Sequence, residues 1–258
     1  MPTPVTLPDP WARSNVAVVV PTYNEAENLP VLVGELMALG LPGLRVVVVD
    51  DASPDGTGEV ADKLAADHGT ARVTVVHRTA KDGLGRAYVA GMTRALEDGA
   101  DHVVQMDADL SHPTFYLPQL LGTQLSTGAG LVIGSRYVAG GSLSERWNLR
   151  RRMLSGWANA YVRAILTMPV HDVTAGFKIW RADALRALDL QSIRSTGYSF
   201  QVEMHFRAYR RGQKIVEIPI HFEDRQEGVS KMDLAVQIES ALRPFRLRAD
   251  ERSDRRRG

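Results

Sequence analysis

Five short, Val-rich runs in the N-terminal half, each followed by a longer stretch of helical periodicity, restrict this chain more than any other feature. The runs are Val16–Val20, Arg45–Val49, Arg72–His77, His102–Met106 and Leu131–Ile133, all bounded by turn residues. Short β-branched runs of this kind read as buried strands. Between them, Glu27–Leu39, Gly58–Asp67, Gly85–Asp98 and Phe115–Ser126 carry apolar residues at helical spacing. Alternating strands and helices require an α/β architecture, a mostly parallel sheet with helices on both faces. In such sheets ligands lie beyond the carboxyl ends of the strands. The residues after each strand are therefore where chemistry is expected.

The second half reads differently. Glu145–Thr167 predicts one or two helices, rich in Arg on one side and in Trp, Leu and Met on the other. Asp172–Trp180 predicts a turn and a short strand, Ala182–Leu188 and Ser199–Arg211 helices, and Ile215–Phe222 a strand. Met232–Arg248 predicts a final helix that Pro244 should bend or end. The Arg-rich end, ERSDRRRG, is expected to be disordered.

Composition removes several function classes. The 258 residues are 44% apolar and 24% charged, an ordinary globular balance, and the formal net charge of +1 supplies no global field toward nucleic acid. The absence of cysteine excludes disulfides, zinc ribbons and thiol nucleophiles and fits a reducing compartment. The first fifteen residues hold four prolines and no apolar core of a signal peptide. No stretch approaches the roughly 20 apolar residues that cross a bilayer, and Trp157–Val170 is interrupted by Arg163 and Pro169. A soluble chain is expected.

Three strand ends carry unusual polar residues. In PTYNEAENLP, Pro21, Tyr23 and Glu25 occupy the exit loop of the first strand. Asn24 with Glu27, three residues apart, is a helix-capping alternative there. In VVVVDDASPDGT, Asp50 and Asp51 stand side by side, and adjacent carboxylates need hydrogen-bond or cation partners. One of them could simply cap the following turn. In VVQMDADLSHP, Asp107 and Asp109 are two residues apart, so both carboxylates can reach one side of the chain. A hard divalent cation takes one or two carboxylates and completes its shell with water and phosphate oxygens. An ordinary solvated turn is the alternative.

Other motifs fail. Gly83-Leu84-Gly85 begins like a dinucleotide fingerprint, but Tyr88 stands where the last glycine belongs. There is no GxxxxGK[ST] loop and no GxSxG elbow. The seven histidines, His112 among them, form no HExxH or HxH pattern, so zinc is not indicated.

PTYNEAENLP, VVVVDDASPDGT, MDADLSHP and GSRYVAGGS occur in the order found in family 2 glycosyltransferases with the A-type, Rossmann-like fold. The likeness continues through WNLRRRMLSGWAN, DVTAGFKIWR, GYSFQVEM and FEDRQEGVSKM. Over about Val16 to Met232 the chain resembles the dolichol-phosphate (polyprenol-phosphate) mannosyltransferases. The early motifs are shared by many family 2 enzymes and the later ones are more selective.

This resemblance implies an enzyme that moves mannose from GDP-mannose to a polyprenyl phosphate, with inversion and with Mg²⁺ or Mn²⁺. It implies that Pro21, Tyr23, Glu25, Val49 and Asp51 hold the nucleotide. Asp107, Ala108 and Asp109 match the metal–diphosphate motif, with Asp109 the direct ligand and Ser111, where some members carry Gln, the second metal position. Arg136 matches an arginine between donor diphosphate and acceptor phosphate. Arg151 and Ser155 match acceptor-phosphate contacts, and Arg225 and Lys231 a loop over the donor. Glu203 is where a general base would be sought by analogy, yet a phosphate nucleophile needs none.

The expected organisation is an extension (1–15), one catalytic domain (16–232, with a nucleotide-sugar half to about 140 and an acceptor half beyond), and a C-terminal helix with a basic tail (233–258). Some relatives continue into transmembrane helices that this chain lacks, so an enzyme peripheral on the cytoplasmic face of the membrane is expected, with room for a separate anchoring protein. A UDP-sugar donor, or a nucleotide-sugar-binding module without turnover, are the alternatives. Trp147, Leu149, Met153, Leu154 and Trp157 beside Arg146, Arg150 and Arg152 would form an interfacial helix.

Overall fold

The computed structural model describes residues 5–9, 11–144, 149–193, 195, 197–223 and 243–249, with the side chains of all but Arg151 and Tyr198. Seven strands form one sheet in the order β3-β2-β1-β4-β7-β5-β8. These are β1 (Val16–Thr22), β2 (Leu44–Asp50), β3 (Val73–His77), β4 (His102–Gln105), β5 (Leu131–Ser135), β7 (Lys178–Arg181) and β8 (Ile215–Pro219). β6 (Ser142–Leu143) and β9 (His221–Phe222) make a separate parallel pair.

The Val runs explain the centre of this sheet. All seven residues of β1 are buried, as an interior parallel strand covered on both faces requires. Ala17, Val19, Val47 and Val49 face one core, under α3 (Leu84–Glu97) and α7 (Gly197–Arg210). Val16, Val18, Val20, Val46 and Val48 face the other, under α1 (Asn28–Ala38) and α4 (Leu117–Thr127). The two-residue period of the strand does this sorting. Each buried Val contributes about 1.5–3 kcal/mol relative to exposure. Further helices are α2 (Thr57–His68), α5 (Leu149–Leu166) and α6 (Ala182–Arg186).

β7 runs antiparallel between β4 and β5, one reversed strand in the mostly parallel sheet that was expected. One expectation needs correction, and one alternative is settled. The stretch 215–222 is two strands: the ladder with β5 ends at Pro219, which has no N–H to give, and His221–Phe222 pairs β6 instead. The Asn24–Glu27 capping pair does not form. Asn24 is left-handed (φ 61°) and its N–H donates to Ser53 Oγ at 3.2 Å, while α1 starts at Asn28 with no side-chain cap. Of the expected last helix, 232–242 lies outside the described residues and 243–249 is helical. Among the described residues no helix is long and apolar enough to cross a membrane.

Candidate active site

The carboxyl ends of β1, β2 and β4 meet on one edge of the sheet, because Thr22 pairs Asp50 and Val19 pairs Gln105 in register. Pro21 and Val49 are buried there, and Tyr23 is half-buried. The loop after β1 is tied to the turn after β2: the Glu25 N–H donates to Thr57 Oγ1 at 3.0 Å and the Ala26 N–H to Asp55 at 3.3 Å. Asn28 Nδ2 donates to Glu25 Oε2 at 2.8 Å. The Asp50–Asp51 pair has the partners its charge demands. Asp50 accepts from the Ser53 N–H at 3.3 Å. Asp51 accepts from the Arg78 guanidinium and from the N–H groups of Asp82 and Gly83, the latter two at 3.2 Å. The loop that Asp51 anchors carries Lys81, whose ammonium lies 3.5 Å from the centre of the Tyr23 ring. Motif reading missed Arg78 and Lys81; an HRTAKDG stretch directly after a strand was the available signal.

Asp107, Ala108 and Asp109 follow β4 as one turn. Tyr88, fully buried on α3, donates its hydroxyl to Asp107 Oδ1 at 2.6 Å. Burial, then Asp107 and Asp109, push the Tyr88 phenol well above its usual range, so it stays a donor. Asp109 Oδ1 accepts from the Ser111 hydroxyl at 2.5 Å and its N–H at 3.1 Å. His112, buried against Phe177 (ring centres 5.4 Å), accepts the Asp107 N–H at Nδ1. Gly176 closes over this turn: a Cβ there would lie 2.9 Å from His112 Cε1 and 3.2 Å from Asp107 Oδ2, so only glycine permits the approach.

The donor set at this turn is carboxylate and hydroxyl oxygen. Among the described residues no three or more His, Cys, Asp or Glu side chains converge. A cation here would rely on one or two carboxylates plus water and substrate oxygens, which suits Mg²⁺ or Mn²⁺ and not a closed zinc site. The residues fit such an ion, with Asp109 and Ser111 adjacent to hold it.

Arg136 leaves the end of β5 and is held by a fully buried carboxylate. Its Nε and Nη2 donate to the two oxygens of Asp172, both at 2.7 Å, and Nη2 also donates to Thr174 Oγ1 at 2.8 Å. Paired donors on a carboxylate fix a guanidinium in plane and direction. The sharp chain reversal beyond it needs Gly141, where a Cβ would fall 2.6 Å from the Ser135 carbonyl oxygen. Phe222 packs on both halves of the site, with its ring centre 5.2 Å from the Arg136 guanidinium carbon and 5.5 Å from that of His112. Asp172 was inside a quoted motif but carried no assigned role, since nothing local links it to a residue 36 positions away.

Ser155 Oγ accepts the Tyr137 hydroxyl at 2.6 Å, next to Arg136 in sequence. Arg151 lies on α5 with its side chain outside the described residues, as are Arg225 and Lys231 entirely. Exposed Leu149, Met153, Leu154 and Trp157 line one face of α5, Trp157 stacking on Tyr161 at 5.2 Å. Arg152 does not flank that face freely, because its Nη2 donates to the Ser144 carbonyl at 2.9 Å; Arg146 and Trp147 lie outside the described residues.

Glu203 is a clasp. One oxygen takes Arg207 at 2.5 Å; the other takes Ser195 and, at 2.9 Å, Arg243 of the C-terminal segment. Burial raises its pKa, but Ser195, Arg243 and Arg207 outweigh that and hold it below the usual value. Stability from this lowered pKa is present above the unfolded value near pH 4.3 and fades as pH falls through the folded one. Glu203→Gln is expected to lower Tm at pH 7 and to cut activity less than about tenfold. The Tm gap between wild type and variant should close below about pH 4 in thermal melts.

Residues 17–189 match the description "Glycosyl transferase family 2". The chain is 50% identical over 217 residues to undecaprenyl-phosphate mannosyltransferase of Micrococcus luteus, covering 84% of this chain and 87% of that one. It is 48% identical over 216 residues to polyprenol monophosphomannose synthase of Mycolicibacterium smegmatis, covering 83% and 80%. Among solved structures, glucosyl-3-phosphoglycerate synthase from Mycobacterium tuberculosis in complex with Mn²⁺, UDP and phosphoglyceric acid superposes with a TM-score of 0.68 at 18% identity, covering 91% of this chain and 78% of that one. A mannosyltransferase from Pyrobaculum calidifontis in complex with GDP-Man and Mn²⁺ gives 0.61 at 20%, covering 95% and 67%. At these identities the structural matches speak for the fold alone.

Proposed function

Because the chain belongs to glycosyl transferase family 2, and within it to the polyprenyl-phosphate mannosyltransferases, we propose that it transfers mannose from GDP-mannose to the phosphate of a polyprenol. The observation that carries this reading is the pairing of an oxygen-donor turn at the end of β4 with a rigidly held guanidinium at the end of β5, both packed on Phe222. One side suits a diphosphate and its cation; the other suits a second phosphate.

In this reading Pro21, Tyr23, Glu25, Val49 and Asp51 hold the nucleotide, and Asp107, Ala108 and Asp109 face its diphosphate. Asp109 and Ser111 would hold a Mg²⁺ or Mn²⁺ ion, which would supply positive charge beside the departing GDP. An oxygen of the acceptor phosphate attacks the anomeric carbon from the opposite face. The bond to the diphosphate oxygen breaks, its electron pair leaves with GDP, and the product is the β-linked mannosyl phosphopolyprenol. Arg136 offsets repulsion between the two phosphates and orients the nucleophile, with Arg151 and Ser155 on the acceptor side and Arg225 and Lys231 over the donor.

No protein base is required, since a phosphate monoester has a second pKa of about 6 and is largely a dianion at pH 7. Glu203, committed to Arg207 and Arg243, agrees with that. The rate is expected to rise to about pH 6–7 and then level; a continued rise toward pH 9 would point to a protein base. Radiolabel transfer from GDP-mannose, compared with UDP-glucose, onto a short polyprenyl phosphate tests the reading. GDP-mannose should be the productive donor, and transfer from UDP-glucose alone would overturn it.

The acceptor's lipid tail requires a membrane-facing surface, and in this reading the exposed apolar face of α5 serves as one. Leu149 is 72% and Trp157 63% exposed. Apolar side chains bordered by arginines bind interfaces. Between Ala241 and Gly258 the sequence holds seven Arg against three acids, and each basic residue near an anionic surface contributes about 1 kcal/mol. Vesicle sedimentation should be salt-sensitive, stronger on anionic than neutral lipid, and weakened at least about tenfold by Trp157→Glu. Equal binding to both lipids at low salt would reject this surface.

A further inference from the structure

Lys178 opens β7 and is fully buried. In register it lies between Gln105 of β4 and Ile133 of β5. The first strand runs on to Asp107 and the second to Arg136, so Lys178 stands between the donor-side and acceptor-side strands. Its ammonium donates to Gln201 Oε1 at 2.8 Å and lies 2.6 Å from His205 Nε2. His205 Nδ1 lies 3.1 Å from the Val173 carbonyl, which can only accept. That nitrogen therefore carries the proton, and Nε2 offers its lone pair to Lys178. Burial, which Asp172 and Asp107 only partly offset and Arg136 reinforces, pushes the Lys178 pKa well below the usual lysine range.

These contacts converge on one loop. Val173 is gripped at its carbonyl by His205 and at its N–H by Asn159 Oδ1, 2.8 Å away. The Asp172 N–H donates to Glu217 Oε1 at 2.9 Å, and its carboxylate holds Arg136. A methionine would fill the Lys178 site without burying an ammonium, but it would leave Gln201 Oε1 and His205 Nε2 without this donor. Lys178 is thus tied to the histidine that grips the loop.

We propose that Lys178 is a positioning residue: with His205 it holds the loop of Asp172 and Val173, and thereby fixes Arg136 relative to the Asp107 end of β4. Its role in transfer rests on the function proposed above; its hold on Arg136 does not.

The test uses the full chain, with Lys178→Met, Asp172→Asn and the double variant. The Arg136 Nε–H, identified in ¹⁵N spectra by its loss in Arg136→Lys, should exchange at least about tenfold faster in Lys178→Met while amides of β1 and β2 stay protected. In transfer assays Lys178→Met should lower kcat about 30-fold or more with GDP affinity within about threefold. In the Asp172→Asn background the same change should cost less than about threefold, because the loop it steadies no longer holds Arg136. Should Lys178→Met not fold, His205→Phe is expected to loosen the same Nε–H. Unchanged Nε–H exchange in either folded variant, or effects that simply multiply in the double variant, overturns the inference. A wild-type chain that transfers no mannose counts against the proposed function alone, since the exchange measurement needs no substrate.

Discussion

Asp109→Asn is expected to abolish mannosyl transfer, by about 10³-fold or more, while leaving the fold intact. Asp109 is 6% exposed and sits in the tight turn after β4. Asn keeps its shape and can still accept from Ser111, so the turn should survive. What it loses is the negative charge needed by a cation whose other partners would be the Ser111 hydroxyl, water and diphosphate oxygens. Manganese-dependent GDP binding should fall with activity, whereas metal-free GDP binding should change little. Circular dichroism and Tm near wild type would show that folding is not the cause. Ser111→Ala should cost only about tenfold, as its hydroxyl is an uncharged ligand beside Asp109, whose Oδ1 it also orients. Activity retained by Asp109→Asn, or by wild type in EDTA, would remove the metal from the reading.

Arg136→Ala should lower kcat/KM by about 10²-fold or more, equivalent to about 2.7 kcal/mol of transition-state stabilisation. A second effect accompanies it. Asp172 is fully buried, and Arg136→Ala removes the guanidinium that pairs with both of its oxygens. Breaking one side of a buried pair costs about 3–5 kcal/mol, so Tm should fall markedly. Rates must therefore be read at a temperature where the variant is folded. Arg136→Lys should restore little, because one ammonium cannot occupy both carboxylate oxygens in the plane that Nε and Nη2 define. Full activity in a folded Arg136→Lys would mean that charge alone, and not direction, is what this position supplies.

The parts of the molecule that were legible in advance are those encoded locally. The Val runs of β1 and β2 announce buried parallel strands because both faces of an interior strand are covered. The polar turns after β1, β2 and β4 stand out because each interrupts an apolar run at a strand end. The roles carried over from the family resemblance depend on whole motifs and not on spacing. Asn24 with Glu27 left two readings open, since the same residue types serve a capping box or a left-handed turn, and the Asp55–Thr57 turn decides between them.

Sequence by itself determined the α/β class, the order of the strands along the chain and the turn that presents Asp107 and Asp109. Only the tertiary structure decided that β7 enters antiparallel, that Asp172 grips Arg136, that Lys178 is buried and that Glu203 is a clasp. A lysine in GFKIWR and a glutamate in FQVEM look the same whether they face water or a core. The difference lies in partners distant along the chain: Lys178 meets His205, and Glu203 meets Arg243. Local periodicity is set by side-chain alternation and backbone geometry, whereas buried charge is tolerated only where the whole fold brings its compensating groups together.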